Sequence, residues 1–180
     1  RQVLDIGCGM GLIADHVADI TGAEVHGFNI EPSGIAHAKS IALSKGRTES
    51  LFKTWDYNNY PWPYEDDTFD AIYEVQAFTF IREPERFFKE LHRILKPGGR
   101  VVIDETVLMD EFDADNEEHW RLILECRPCG VGGNFWYYKY WEDQIKGAGF
   151  KLTRSERNKP ALPLIKQEDN YFETVENICK

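Results

Sequence analysis

The sequence predicts an α/β fold: a mostly parallel, doubly wound sheet with helices on both faces. Three observations carry this. The chain opens on a short apolar run, an acidic residue and three glycines, Val3-Leu4-Asp5-Ile6-Gly7-Cys8-Gly9-Met10-Gly11. Apolar runs of strand length then alternate with segments of helical period as far as residue 105. The polar residues that stand out fall where these strands end, on the rim at which open α/β sheets bind ligands.

The opening reads as a strand, a tight turn and a helix, since Ile13, Val17 and Ile20 follow the glycines at roughly helical spacing. Glycine lets backbone N–H groups and a helix N-terminus approach a ligand closely. Glu24–Phe28 is a second short strand, running into Asn29-Ile30-Glu31-Pro32-Ser33. Pro32 and Ser33 start a helix to about Lys45, with Ile35, Ala38, Ile41 and Ala42 in period. Ser50–Trp55 is a third strand, with Asp56 and Tyr57 at its carboxyl end, and Asn58–Thr68 reads as a surface loop rich in Pro, Tyr and Asp. Phe69–Val75 is the fourth strand. An amphipathic helix spans Glu83 to Leu95 and is stopped by Lys96-Pro97-Gly98-Gly99, after which Arg100–Glu105 is the fifth strand.

From Val107 to Tyr138 the alternation breaks. Asp110–Glu118 is strongly acidic, and Phe135–Trp141 carries six aromatics in seven positions. A helix to about Lys146 and a sixth strand, Phe150–Thr153, follow; the stretch from Pro160 to Lys180 offers no seventh. Residues 1–159 thus read as one binding domain, with 107–141 as an acceptor-side insertion and 160–180 as the start of a C-terminal extension. A chain that begins inside its first core strand leaves no room for an N-terminal lid helix, so the sequence is expected to be part of a longer polypeptide.

Composition narrows the classes. With 42% hydrophobic and 13% aromatic residues the chain has ample core for one α/β domain. A formal net charge of −10 argues against a nucleic-acid partner, because phosphate backbones are bound by Lys and Arg. Cys126-Arg-Pro-Cys129 is a lone C-x-x-C without a second pair, so it reads as two unlinked thiols and no metal site is expected. No apolar run approaches ~18 residues and no signal peptide precedes the first strand, which reads as a reduced, cytoplasmic chain.

At the rim, a nucleoside fits the pattern: Asn29 or Glu31 for the ribose hydroxyls and Asp56 to accept from an adenine amino group. Taken as a set, Val3–Gly11, Asn29, Asp56, Phe69–Val75 and Leu95–Gly99 resemble the class I S-adenosylmethionine-dependent methyltransferases over roughly residues 3 to 155. The resemblance implies a Rossmann-like class I methyltransferase fold, S-adenosyl-L-methionine as cofactor and S-adenosyl-L-homocysteine as product. It places Asp5, Gly7, Gly9, Gly11, Asn29, Ile30, Asp56, Tyr57 and Glu74 at the cofactor, Glu74 through its backbone carbonyl.

Within that superfamily, Gly27-Phe28-Asn29, Phe69–Tyr73 and Arg93–Gly99 resemble the sterol C-methyltransferases, the sterol 24-C-methyltransferase-like branch. So does the run Asp104-Glu105 to Asp110, with Asp113 and Asn116-Glu117-Glu118-His119, and Pro160–Leu164 resembles the segment before their sterol-specific C-terminal region. This implies methyl transfer from a sulfonium to an alkene carbon of a sterol or related small hydrophobic substrate, with peripheral association at the endoplasmic reticulum membrane. The carbocation left behind is stabilised by aromatic faces, and a base removes a proton. Glu105 and His119 are the candidates for base or substrate-hydroxyl contact, and Tyr73, Phe78, Phe80, Trp136 and Tyr137 for aromatic walls. Two positions depart from the family: Gln76 stands where it has Glu, and Phe80 where it has His.

Each site residue has a plainer reading. Asp56 caps a loop, Glu105 makes a structural pairing, His119 sits in a solvated ion pair, and the 135–141 aromatics are packing. Two other functions stay open. A small-molecule N- or O-methyltransferase would use the acidic run to attract a cationic substrate, and a non-catalytic cofactor-binding homologue is suggested by Gln76 and Phe80.

Overall fold

The computed structural model describes residues 1–126 and 136–156. Among these, five parallel strands form one sheet: β1 (Gln2–Ile6), β2 (Glu24–Asn29), β3 (Phe52–Thr54), β4 (Phe69–Val75) and β5 (Leu95–Asp104), in the order β3-β2-β1-β4-β5. β1 therefore lies centrally, and the order reverses there: β2 and β3 extend to one side, β4 and β5 to the other. That reversal opens a crevice at the carboxyl end of β1.

Strand alternation sorts the core into two layers. Val3, Val25 and Tyr73 pack with α1 (Leu12–Thr21) and α2 (Pro32–Ser44) through Ala14, Val17, Ile35, Ala38 and Ala42. Leu4, Ile6, Phe28 and Ile72 face the other way, against Phe87, Phe88, Leu91 and Ile94 of α3 (Pro84–Ile94) and Trp141 of α5 (Tyr138–Gly147). The doubly wound arrangement expected from the sequence is the one found.

Four local expectations are corrected. The third strand is shorter than Ser50–Trp55, because Glu49–Leu51 forms a 3-10 turn and only Phe52–Thr54 pairs, at the sheet edge. The Lys96–Gly99 break lies inside β5 instead of ahead of it. Phe69 stands opposite Leu95 but Ala71 opposite Arg100, so the Pro-Gly-Gly turn is looped out of a continuing ladder. The 58–68 segment is not merely a surface loop. Trp62 is 2% exposed and packs edge-on against Phe28 and Phe87, and its N–H donates to Glu90 at 2.6 Å. Finally, residues 150–156 form no strand: Phe150 packs on His92 and donates its N–H to the Ile145 carbonyl at 3.2 Å, at the end of α5.

Residues 107–126 and 136–147 follow the last strand, and Val107, Trp136, Tyr140 and Trp141 pack against the α3-side core. Leu108 and Tyr137 form an isolated bridge, and Asn116 caps α4 (Glu117–Cys126) by accepting from the Glu118 N–H at 3.0 Å. Phe135, Cys129, the Pro160–Leu164 segment and the 160–180 extension lie outside the described residues, as does the side chain of Cys126. No described helix is long and apolar enough to cross a membrane.

Candidate functional site

The glycine loop leaves β1 and enters α1 as the sequence indicated. The Gly7 and Cys8 N–H groups both donate to the Phe28 carbonyl, at 3.0 and 3.1 Å, fastening the loop to the end of β2. Gly11 N–H closes a turn onto Cys8, and the Gly11 carbonyl receives the first helical bond from Asp15. Gly11 has φ +79°, and a Cβ there would lie 2.6 Å from the Ala38 Cβ, so neither conformation nor space admits a side chain. Gly9 differs. Its φ is +52° but a Cβ would meet nothing within 4 Å, so this residue faces open space beside the crevice. Among the described residues the Gly9 and Met10 N–H groups have no acceptor. α2 supports the loop from behind: His37 Nδ1 lies 3.1 Å from the Met10 carbonyl, and a Cβ at Gly34 would sit 2.8 Å from the Gly9 carbonyl. Neither contact has a local signature, since each joins residues more than twenty positions apart.

At the end of β2 the structure separates two candidates for one role. Glu31 Oε1 accepts from the Ser33 N–H and hydroxyl, capping α2. Asn29, half-buried, has a side chain with no hydrogen-bond partner among the described residues, and Ile30 beside it is 65% exposed. At the end of β3, Asp56 Oδ1 accepts from both the backbone and side-chain nitrogens of Asn58, the loop-capping role. Its other oxygen has no partner among the described residues.

Below the rim lies a group of acids. Asp5, 3% exposed, accepts the Tyr73 hydroxyl at 2.9 Å, and burial outweighs this bond, pushing the carboxyl up to about 7. Tyr73 is thereby placed among the α1 and α2 residues on the inner face, as the partner of Asp5 and not as an exposed aromatic wall. Glu74, 1% exposed, is pushed well above the carboxylate range by burial first and then by the neighbouring Glu105. Glu105 is raised by burial too, against three backbone donors: Phe78 N–H at 2.6 Å and Thr79 N–H at 3.2 Å on Oε2, and Thr106 N–H at 2.7 Å on Oε1. It caps the Phe78–Phe80 3-10 turn, which is the structural pairing weighed above.

The segment from the end of β4 through that turn carries both departures from the family pattern. Gln76 has φ +56°, a conformation uncommon outside glycine, with its N–H on the Asp104 carbonyl at 2.8 Å. Its side chain is exposed, as is Phe80, whereas Phe78 is buried against Phe87, Phe88 and Trp141 and forms core. Tyr57 reaches the same turn, donating to the Ala77 carbonyl at 2.6 Å, and burial pushes its phenol up.

His119 is placed elsewhere. On α4, its Nδ1 accepts the Asp113 N–H at 2.9 Å and its ring lies against Phe112, so the solvated ion pair does not form with Asp113. Trp136 stacks on Tyr140 at 4.5 Å and Tyr137 donates to the Phe112 carbonyl, so these aromatics are engaged with one another. Among the described residues no group of three His, Cys, Asp or Glu side chains is placed to hold a metal ion.

A glycine loop at the carboxyl end of a central strand, with unpaired groups past the ends of β2 and β3 on one side of it, defines the nucleoside-binding class of open α/β folds. Comparison makes this specific: a family model described as a methyltransferase domain matches residues 4–103, and the chain belongs to that family. Over 156 residues it is 33% identical to a sterol 24-C-methyltransferase of Gibberella zeae, covering 86% of this chain and 40% of that one. It is 31% identical to a sterol 4-C-methyltransferase of Caenorhabditis elegans over 129 residues, 71% of this chain and 38% of the other. The chain thus spans about two-fifths of the length of these relatives. Among solved structures it superposes on the cyclase SpnF with TM-score 0.67 and 27% identity, covering 85% of this chain and 52% of that one. The fold is the Rossmann-like class I methyltransferase fold.

Proposed function

We propose that residues 1–159 are the cofactor-binding domain of an S-adenosylmethionine-dependent methyltransferase, and that its acceptor is a sterol or related hydrophobic lipid methylated at carbon. The observation that carries the cofactor is the set of groups left unpaired around one crevice: the Gly9 and Met10 N–H groups, the Asn29 amide and the second Asp56 oxygen. Donors for a carboxylate, an amide for ribose hydroxyls and an acceptor for an adenine amino group match the parts of S-adenosylmethionine. Asn29 takes the ribose in preference to Glu31, because its amide has no partner among the described residues whereas Glu31 Oε1 is committed to the α2 cap. Ile30 and Tyr57 flank the nucleoside, and the Glu74 carbonyl faces the amino group. The sterol acceptor rests on the relatives and on the resemblance of Asp104–His119.

The cofactor supplies a methyl group already activated on a sulfonium, so the protein's work is alignment and exclusion of water. Glu105 sets the Phe78–Phe80 turn and thereby where Gln76 and Phe80 present themselves. His119 accepts at Nδ1, so its neutral ring carries the proton at Nε2 and is suited to donate to an acceptor hydroxyl. The 107–141 insertion and the Phe78–Phe80 turn supply the acceptor side, with Phe80, Trp136 and Tyr137 as its aromatic faces. Residues 160–180 begin a C-terminal extension, and association is peripheral, at the endoplasmic reticulum membrane.

Gln76 favours a second reading. An amide takes up no proton readily, and methylation of an amine or hydroxyl needs no base to resolve a carbocation. Incubating the full-length protein with methyl-labelled S-adenosylmethionine separates the two. Label in a sterol from a mixed sterol panel supports the first reading, and label only in amine or hydroxyl acceptors supports the second. Cofactor binding with no labelled product would point to a non-catalytic homologue.

A further inference from the structure

Glu74 is the least accounted for of the buried acids. Its Oε2 accepts the Ala77 N–H at 2.8 Å, while Oε1 is buried with no hydrogen-bond partner among the described residues. Burying a carboxyl with one oxygen unsatisfied is costly, so the bond it does make has to be read against what Ala77 does. Ala77 is gripped from three directions. Glu74 takes its N–H, the Tyr57 hydroxyl takes its carbonyl at 2.6 Å, and its methyl lies 2.7 Å from where a Cβ on Gly7 would stand. The residue before it, Gln76, is held at φ +56°. The peptide at Ala77 is therefore the point where the turn after β4 touches the glycine loop after β1.

Resting on the cofactor reading above, we propose that the Glu74 side chain is a positioning residue for the cofactor site: by holding the Ala77 N–H it seats Ala77 against Gly7 and fixes the loop whose Gly9 and Met10 N–H groups meet the ligand. Tyr57 acts on the same peptide from its other side. The role is additional to any contact by the Glu74 backbone carbonyl and depends on an acceptor oxygen at this position, not on a charge.

The test is titration calorimetry of S-adenosyl-L-homocysteine into the full-length protein, with thermal unfolding run alongside. Glu74→Ala removes the acceptor and is expected to raise Kd ~10-fold, whereas Glu74→Gln keeps an amide oxygen for the Ala77 N–H and stays within ~3-fold of the parent. Tyr57→Phe, which deletes only the hydroxyl on the Ala77 carbonyl, is expected to raise Kd ~3- to 10-fold and decides the matter if Glu74→Ala fails to fold. A folded Glu74→Ala protein with parental Kd overturns the proposal. So do equal losses in Glu74→Ala and Glu74→Gln, or an unchanged Kd in Tyr57→Phe where Glu74→Ala does not fold. If the parent protein itself fails to bind, the cofactor reading falls and takes the proposal with it.

Discussion

The Tyr73 hydroxyl donates to Asp5 Oδ2 at 2.9 Å across paired positions of β4 and β1, in the interior of the sheet directly before the glycine loop. One neutral donor does not offset the desolvation of a carboxylate there, so Asp5 keeps its proton to about pH 7.

This has a definite sign. An unfolded aspartate releases its proton near 3.8, so between about pH 4 and about pH 7 the native protein binds a proton that the unfolded chain has lost. Stability of the ligand-free protein therefore falls as pH rises through that window and levels off above it, by up to about 1.4 kcal/mol per pH unit for each such group. Glu74 acts in the same direction. Urea unfolding at a series of pH values should show this decline, and Asp5→Asn should flatten it. A parent protein that gains stability from about pH 5 to about pH 7 would contradict the assignment.

Gly9 and Gly11 should part company on substitution. Gly11→Ala meets the Ala38 Cβ at 2.6 Å and should cost several kcal/mol, roughly 1–2 from its left-handed conformation and the rest from overpacking. Gly9→Ala has room, so it should cost only the roughly 1–2 kcal/mol of conformation while weakening S-adenosylhomocysteine binding ~10-fold or more. Unfolding midpoints and ligand titrations on both variants check this.

Asn29 and Glu31, two residues apart, should likewise separate. Glu31→Ala removes the α2 cap, at roughly 0.5–1 kcal/mol, with affinity little changed. Asn29→Ala should leave stability as it is and raise the ligand Kd ~10-fold. The reverse pattern would move the ribose contact to Glu31.

Glu105 offers a further contrast. A base replaced by its amide loses turnover by ~1,000-fold or more while folding normally. A cap with both oxygens on backbone donors should instead, as Glu105→Gln, lower stability by roughly 1–3 kcal/mol and turnover only ~10-fold, because an NH2 group now faces an N–H. Measuring kcat and thermal unfolding together distinguishes them.

The frame of this chain was legible because its signals are local. β1, β2 and β4 are short segments carrying Val3, Leu4 and Ile6, Val25 and Phe28, and Phe69, Ile72 and Val75, and α3 carries Phe87, Phe88, Leu91 and Ile94 on one face. The glycine loop was legible for the same reason, since its spacing belongs to one turn. What escaped was set by partners far along the chain. β5 continues through a Pro-Gly-Gly turn only because β4 offers a ladder on both sides of it, and Phe150 is drawn onto His92 of α3 instead of into a strand. Trp62 is core because Phe28 and Phe87 meet over it. Glu105 turned out to cap a turn 26 residues earlier in the chain, at Thr79, a relation that no spacing encodes.

The most direct test of the account is a crystal structure of the full-length protein with S-adenosyl-L-homocysteine. The amino-acid end should lie over the Gly9 and Met10 N–H groups, the ribose hydroxyls at Asn29 and the adenine amino group at Asp56. A ligand bound away from the carboxyl ends of β1, β2 and β3, or a ribose held by Glu31 with Asn29 uninvolved, would contradict this arrangement.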